Sequence, residues 1–446
     1  MHEAMQLALQ GAAWFNTGGR ELDFAALRGR AVAVLVFGFD PAGLAAWRAL
    51  SGLAARLGPG LVCLGVHSAT GAASGAVPME REALRKSLWR FGVSWPVADG
   101  VAKDAATEAG LAAPGLILLG PDGAEAWRGQ AAQGGALAAR VSEWQALGRL
   151  RTEPFAFSPE EELRHDAVLH FPEGVAVLER RVFLSDTGAD RVVGAYFADD
   201  EPIAQVEWVA GGARGFADGP LDRARFDGPR GLCVRPDGSA AYVADSMNNA
   251  VRVIDLQGYE VRTLCAGLTM PWDVCCCGGV VYAALPLGNE VVRVDPETCG
   301  VAPLLRAYAP LALASAGTRL WVLETGGGLV WCDVLTGAEG RLAVARALPG
   351  ASGLTVLPDG ALCVADQAGN TLWRIDPATG EALALAGKGR GHVDGPRPRF
   401  FGPLGMALLS RTLLVADCFN HALRAVSVGD RDGGGGAGSV TLFAAS

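Results

Sequence analysis

Ten cysteines are the most reactive side chains of this sequence, and their spacing limits what they could do. They follow no framework spacing, and the three at positions 275–277 are consecutive. Because adjacent residues of a strand point to opposite sides of a sheet, these three cannot act together as an ordinary disulfide or a tetrahedral metal site. Cys63 lies between Val62 and Leu64, which indicates a buried thiol of low reactivity. We interpret the cysteines as small apolar strand residues in a reducing compartment.

Histidines and carboxylates are the next candidates for acid–base or metal chemistry. The six histidines, at positions 2, 67, 165, 170, 392 and 421, share no repeating phase, which argues against a histidine-ligated metal centre. For His67 the spacing identifies no Ser, Cys or Asp partner, so a structural histidine is favoured over a base. For Asp40 a helix cap is favoured over a lone catalytic carboxylate, because Pro41 follows it. The sequence predicts no catalytic residue, no metal and no cofactor.

The first 150 residues alternate apolar runs with amphipathic segments. Ala31 to Phe37 is a continuous apolar run typical of a strand buried on both sides. Asp40 and Pro41 then begin a helix, and apolar residues recur at helical spacing as far as Leu57. The other predicted elements are strands at 61–66 and 116–119, helices at 80–91, 103–110 and 133–147, and a hairpin that turns at 121–123 into 124–128. This order of elements predicts an α/β domain.

A repeat begins near residue 170 and decides the fold of the second half. Three strong and three weaker copies end their second predicted strand at positions 186, 245, 284, 324, 366 and 417. The differences between these positions are 59, 39, 40, 42 and 51 residues, close to the roughly 40 to 45 residues of a propeller blade. The second copy contains strand candidates at 232–234, 241–244, 251–254 and 261–265. Four strands per copy predict an all-β propeller of six blades, with 440–444 as its last outer strand.

Two features of the repeat could have a function beyond the fold. Asp and Asn recur after the second strand of the copies, and we interpret them as residues that fix a turn rather than as metal ligands. The strongest single signal is the pair GFADG at 215–219 and HVDG at 392–395, each followed by Arg-Phe and by the start of a copy.

Short motifs resemble the thioredoxin-like domain that precedes NHL repeats in the NHL repeat-containing protein 2 family and in the chloroplast suppressor-of-quenching protein. They are WFN at 14–16, LRGR at 27–30, GVHS at 65–68 and FGV at 91–93 with Pro96. The later copies resemble NHL repeats, so the resemblance implies a thioredoxin-like domain followed by a six-bladed NHL β-propeller. It also places Pro114 where thioredoxins have a cis-proline beside the active site.

The chain departs from that family at the start of its first helix. Family members carry a Cys-Cys-Ile-Asn-Cys-like stretch there, because a helix N-terminus stabilises a reactive thiolate. This chain has FDPAGL at 39–44 instead, which contains no sulfur.

Composition and charge limit the organisation of the chain and its partners. We expect a thioredoxin-like domain over 1–150, a linker rich in Pro and Glu over 151–170, and the propeller over 171–446. The formal charge is 38 minus 47, or −9, which makes nucleic acid an unsuitable default partner. Apolar runs are too short to cross a membrane, and residues 1–10 lack the pattern of a secretory signal. We expect a cytoplasmic monomer, or a protein of an organelle lumen if a targeting segment precedes the sequence.

These observations favour a non-catalytic scaffold that binds a protein partner. The predicted partner cleft of the first domain lies around Asp40, Pro41, His67 and Pro114. The first alternative is a thiol-disulfide oxidoreductase, which the family's usual motif implies. The second alternative is a propeller hydrolase or lyase.

Overall fold

The computed structural model of the chain describes residues 12–18, 22–68, 80–99, 113–155, 157, 168–197, 204–428 and 439–443. The chain divides into two compact units, Met1–Leu163 and Arg164–Ser446. Several predictions fall outside the described residues, namely the helix at 103–110, the histidines at 2 and 165, the Pro-Glu run at 159–162 and the glycine loop at 429–438.

A six-stranded mixed sheet forms the centre of the first unit. Its strand order is β1-β4-β3-β2-β5-β6, with β2, β3 and β4 parallel to one another and the remaining pairs antiparallel. Every residue of β2 is buried, as its continuous apolar run predicted. The strands are β1 Ala13–Phe15, β2 Ala31–Phe37, β3 Leu61–His67, β4 Val97–Asp99, β5 Gly115–Leu119 and β6 Glu125–Gln130.

Three described helices accompany this sheet, and local sequence explains where they begin and end. Helix α1, Pro41–Leu57, has Asp40 as N-cap and Pro41 in its first turn, and buries Leu44, Trp47, Leu50 and Leu53 on one stripe. Helix α2, Arg81–Phe91, ends at Gly92, whose left-handed conformation suits a glycine. Helix α3 is Gly134–Ala146.

The segment that follows α3 packs on the first unit at least as far as residue 157. The backbone N–H of Arg151 donates to Gly29 O at 2.7 Å, and the rings of Phe155 and Phe157 pack against the apolar cluster that contains Val32 and Val34. The beginning of the segment predicted as a linker is therefore part of the first unit's packing.

The second unit is a six-bladed β-propeller, as the repeat predicted. In the described residues, six antiparallel sheets follow one another along the chain, five of four strands and one of five. Blade 1 consists of β7 Pro172–Leu178, β8 Arg181–Asp186, β9 Arg191–Phe197 and β10 Ala204–Gly211. Blade 2 consists of β11 Gly219–Pro220, β12 Pro229–Val234, β13 Ala240–Asp245, β14 Ala250–Asp255 and β15 Glu260–Ala266. Blade 3 consists of β16 Asp273–Cys277, β17 Val280–Leu285, β18 Glu290–Val294 and β19 Val301–Arg306.

The remaining blades follow the same plan. Blade 4 consists of β20 Pro310–Ala316, β21 Arg319–Glu324, β22 Leu329–Asp333 and β23 Glu339–Leu342. Blade 5 consists of β24 Ala351–Val356, β25 Leu362–Asp366, β26 Thr371–Ile375 and β27 Ala382–Ala386. Blade 6 consists of β28 Pro403–Leu409, β29 Thr412–Asp417, β30 Ala422–Ser427 and β31 Ser439–Phe443. Strand β31 pairs with β30, which confirms the predicted last outer strand within one residue.

Six apolar clusters hold the ring together, one between each pair of neighbouring blades. The cluster between blades 6 and 1, for example, contains Val182 and Leu184 of blade 1 with Leu414 and Leu423 of blade 6. Each blade is buried on both of its sides in this way. Its strands therefore carry apolar side chains at successive positions, which point alternately to one neighbouring blade and to the other. The first strands of the blades pack side by side as the inner wall of the ring.

Side chains after the second strands connect one blade to the next. In five of the six blades, the residue that closes the turn after the second strand has positive φ, and its side chain accepts the backbone N–H at the start of the following blade. Asn249 Oδ1 accepts from Met270 N at 3.0 Å, and Asn289 Oδ1 accepts from Ala309 N at 2.9 Å. Asp190 and Asn370 make the equivalent bonds to Gly228 N and Gly402 N. The recurring Asn therefore fixes turns and blade junctions, as its structural interpretation predicted.

Candidate functional site

The residues of the predicted cleft lie at one end of the central strand of the first unit. Asp40 and Pro41 lie at the start of α1, three and four residues after the end of β2. His67 is the last residue of β3 and pairs with Phe37, while Gly115, next to Pro114, pairs with Val36. The backbone register thus places His67, at the end of β3, on one side of β2 and Pro114, just before β5, on the other side.

Asp40 caps the helix, as predicted. Its Oδ1 accepts from Gly43 N at 2.8 Å, and its backbone oxygen accepts from Leu44 N at 3.0 Å. A Cβ added at Gly43 would lie 2.1 Å from Gly38 O, so only glycine permits this close approach of the helix start to the preceding chain. The carboxylate and backbone at this helix start are therefore occupied by local structure.

His67 is a buried histidine that contacts an aromatic ring. Its imidazole centroid is 5.6 Å from that of Phe39, which stacks in turn on Phe91 at 5.5 Å. Burial lowers the pKa of His67 to about 4, so the ring is neutral near pH 7. This agrees with the structural interpretation of His67.

Pro114 follows a cis peptide bond, Ala113–Pro114, as the resemblance implied. Both Ala113 and Pro114 are half-buried.

No thiol stands at this end of β2 within the described part of the first unit. Cys63 lies in the middle of β3 with 3% of its surface exposed, and burial raises the pKa of its thiol to about 12. A thiol in that state is protonated at neutral pH and is a weak nucleophile.

The GFADG and HVDG motifs of the propeller build two equivalent structural networks. Arg252 of β14 is fully buried, and its guanidinium donates to Asp245 at 2.9 Å, to Asp218 at 2.6 Å and to Ala217 O at 2.8 Å. Asp218 also accepts from the backbone N–H and the hydroxyl of Thr263 in the outer strand. The motif therefore ties the connection between blades 1 and 2 across β14 to β15.

The second network repeats this arrangement in blade 6. Arg424 is fully buried and donates to Asp417 at 2.8 Å and to Asp394 at 2.5 Å. Asp394 accepts from the backbone N–H and the hydroxyl of Thr441 in β31. The strongest signal of the sequence thus has a structural role in both copies.

The inner wall carries a cluster of polar residues that sequence reasoning missed. Glu173 and Arg230, one residue after the start of β7 and of β12, form a buried ion pair of 2.6 Å. The Arg230 guanidinium lies 3.6 Å from the ring centroid of Trp272, which precedes β16. Glu173, Arg230 and Trp272 each follow the proline that begins their copy of the repeat, the x of Pro-x-Gly in the strong copies. An alignment of the copies at this proline could have predicted that the three residues lie close together.

Asp273 is the second carboxylate of the inner strands. Its oxygens accept from Val274 N at 2.8 Å and Leu313 N at 2.7 Å, and burial raises its pKa to about 7. Glu173 pairs with Arg230, so each carboxylate of the inner wall is bonded within the wall. In the part of the chain that the structure describes, no three His, Cys, Asp or Glu residues gather as a metal site would require.

Two exposed apolar side chains, Leu287 and Tyr308, lie on the face of the propeller that carries the connections between blades. A blade of four antiparallel strands ends on the same face of the ring on which it begins. All connections between blades therefore lie on one face, which we call the connection face. They are residues 212–228, 267–272, 307–309, 343–350 and 387–402. Tyr308, 50% exposed, stands between Ala307 and Ala309, whose backbone N–H groups both donate to Asn289. Leu287, 39% exposed, precedes Asn289 by two residues in the same turn.

The chain combines an α/β unit with a six-bladed β-propeller, and its repeats are similar to those of NHL repeat-containing proteins. Among curated proteins it is similar to NHL repeat-containing protein 2 of Bos taurus, with 25% identity over 419 residues, 82% of this chain and 54% of that protein. It is also similar to protein SUPPRESSOR OF QUENCHING 1, chloroplastic, of Arabidopsis thaliana, with 24% identity over 324 residues, 58% of this chain and 30% of that protein. These relatives confirm the resemblance that the sequence indicated. The chain spans about half the length of NHL repeat-containing protein 2.

No family model matches the chain. Among solved structures, virginiamycin B lyase from Staphylococcus aureus matches with a TM-score of 0.41 and 15% identity, over 57% of this chain and 80% of that one. A structural likeness of this degree carries no conclusion about activity. In the described residues no helix is long and apolar enough to span a membrane.

Proposed function

We propose that this NHL propeller protein is a non-catalytic scaffold that binds a protein partner. The observation that carries the proposal is the start of α1, where Asp40 caps the helix and no sulfur is available. Disulfide exchange needs an exposed thiolate, and the sequence of the first unit offers Cys63 alone, which is buried and protonated at neutral pH.

The first unit, on this proposal, is a thioredoxin-like domain that has kept its shape and lost its redox pair. The order β3-β2-β5-β6, with β2 parallel to β3 and antiparallel to β5, supports this assignment. The position of α1 directly after β2 supports it as well, because thioredoxins place their reactive cysteines at such a helix start. The close approach of Gly43 to Gly38 O leaves no room there for a cysteine at position 43.

The connection face around Leu287 and Tyr308 is the partner surface that we propose for the propeller. Exposed apolar side chains on one face of a rigid scaffold are typical of protein contact sites, and tyrosine is enriched in such sites. The bonds of Ala307 and Ala309 to Asn289 hold the Tyr308 backbone in place, so a partner would meet a preorganised surface.

A comparison of surface variants tests this proposal. The full chain, the double variant Leu287→Ser with Tyr308→Ser, and the control Leu335→Ser would each be crosslinked in an extract of the source cells and their captured proteins compared. Leu335 is 78% exposed in the turn between the third and fourth strands of blade 4, on the opposite face.

We expect the double variant to lose at least one captured protein that the unchanged chain and Leu335→Ser both retain. Equal capture by all three proteins would contradict a partner site at this surface. Circular dichroism of the variants would check that each remains folded.

A further inference from the structure

Two cysteines from neighbouring blades meet in the inner wall of the ring. Cys233 in β12 of blade 2 and Cys276 in β16 of blade 3 have their sulfur atoms 3.0 Å apart. Both side chains pack against the apolar cluster between these two blades. A sulfur–sulfur bond is about 2.05 Å long, so the two atoms are within about 1 Å of bonding distance.

The pair follows from the geometry that all six blades share. Counted from the first residue of the Pro-x-Gly start, position +4 of an inner strand faces the following blade and position +5 faces the preceding one. Cys233 is at +4 from Pro229 and Cys276 is at +5 from Pro271. At three other interfaces, the residues at +4 and +5 of neighbouring blades also belong to one cluster. These residues are Ala176 with Val234, Ala314 with Val356, and Ala407 with Val177.

The neighbours of Cys276 point away from this pair. Cys275 and Cys277 belong to the cluster between blades 3 and 4, and the Cys277 thiol donates to Gly317 O of blade 4 at 3.3 Å. The three consecutive cysteines therefore do not act together, as their alternation predicted. The sequence interpretation missed the partner of Cys276, because that partner lies 43 residues away, about one blade period, and only the closed ring brings it near.

We propose that Cys233 and Cys276 are an oxidisable pair that forms a disulfide between blades 2 and 3. With hydrogen peroxide as oxidant, one thiol attacks a peroxide oxygen and becomes a sulfenic acid, and the first water leaves. The second thiol attacks that sulfur, the S–S bond forms, and the hydroxyl leaves as a second water. Two thiols thus lose two electrons and two protons, and the peroxide O–O bond is reduced.

The surroundings of the pair limit how fast it is oxidised. Both residues are half-buried, which restricts the access of an oxidant to their sulfur atoms. Burial, together with the hydrogen bond to Cys276, raises the pKa of Cys233 well above its usual range, so its thiol is protonated at neutral pH and reacts slowly.

Peptide mapping of the full chain tests the proposal. The protein would be treated with hydrogen peroxide, its remaining thiols alkylated, and the tryptic peptides analysed without reduction. Cleavage after Arg230 and Arg252 yields a peptide whose one cysteine is Cys233, since Pro236 protects Arg235. We expect this peptide to be linked to the peptide that contains positions 275–277, and dithiothreitol to separate the two.

Three variants assign the bond. Cys276→Ser and Cys233→Ser are expected to lose the linked peptide, while Cys275→Ser, the matched control on the other side of the same strand, retains it. The unchanged chain is informative by itself, so a variant that fails to fold does not leave the question open. Absence of the linked peptide in peroxide-treated folded protein, or its persistence in Cys276→Ser, would overturn the proposal.

Discussion

Asp40 lies at the start of α1, where the resemblance described in the sequence analysis would place reactive sulfur. Its carboxylate accepts the Gly43 N–H, so the positive end of the helix is satisfied by a fixed side chain. A helix start used in this way supplies no nucleophile, and His67 beside it is neutral and packed against Phe39. At the residue scale, local structure explains Asp40, Pro41 and His67, and the role of these residues and Pro114 in binding stays a prediction.

The first prediction belongs to these residues. In insulin reduction with dithiothreitol, we expect the full chain and Cys63→Ser to give the same rate as dithiothreitol alone, because a thiol with a pKa of about 12 is protonated at assay pH. An ordinary thioredoxin serves as the positive control. Turbidity that rises faster with the chain, and no faster with Cys63→Ser, would revive the oxidoreductase alternative.

Strand β31 shows how a single element depends on a distant loop. It is the outer strand of blade 6, and Thr441 within it is held by the Asp394 carboxylate, which is fixed in turn by buried Arg424. Leu442 is buried in the cluster between blades 6 and 1. The strand therefore contributes both a hydrogen-bonded edge and apolar area to the ring.

Truncation before β31 provides the second prediction. A chain that ends at Gly438 would lose the burial of Leu442 and both bonds to Asp394, at a cost of about 2 to 5 kcal/mol for the side chain alone. We expect a lower melting temperature or aggregation, measured by calorimetry and light scattering. A chain that ends at Phe443 is the control and should melt like the full chain, whereas equal melting of all three would mean that β31 does not stabilise the ring.

The closure of the ring is a property of the whole molecule. At the junction of blades 6 and 1, His421 occupies the position that Asn or Asp holds at four other junctions. Its Nδ1 accepts from the buried Phe171 N at 3.3 Å, and its ring lies 4.3 Å from that of Phe171. Acceptance at Nδ1 requires a neutral ring with its proton on Nε2.

Substitutions at this junction give the third prediction. His421→Ala would leave the buried Phe171 N–H without its acceptor, a cost of about 1 to 3 kcal/mol. His421→Asn would place the residue of the other junctions there and should lose less. Denaturation in urea, followed by the fluorescence of the propeller tryptophans, measures both, and equal stability of the two variants would argue against the hydrogen bond as the closing contact.

Much of the fold could be predicted from the sequence, because local patterns carry it. The bounds of α1 match the prediction at both residues, since Asp40, Pro41 and the helical spacing up to Leu57 are local signals. The number of blades follows from a repeated copy, and β31 follows from its likeness to other outer strands. The absence of sulfur at the start of α1 is also a fact of the sequence, and it carries the proposed function.

Only the tertiary structure decided which distant side chains meet. The Glu173–Arg230 pair, the bond from Phe171 to His421, and the contact of Cys233 with Cys276 join residues 57, 250 and 43 positions apart. No local propensity encodes such separations, because they arise when six similar sheets pack around one axis and bring equal positions of neighbouring blades together. The sequence by itself determined the elements and their order, while ring closure determined which of their side chains can act on one another.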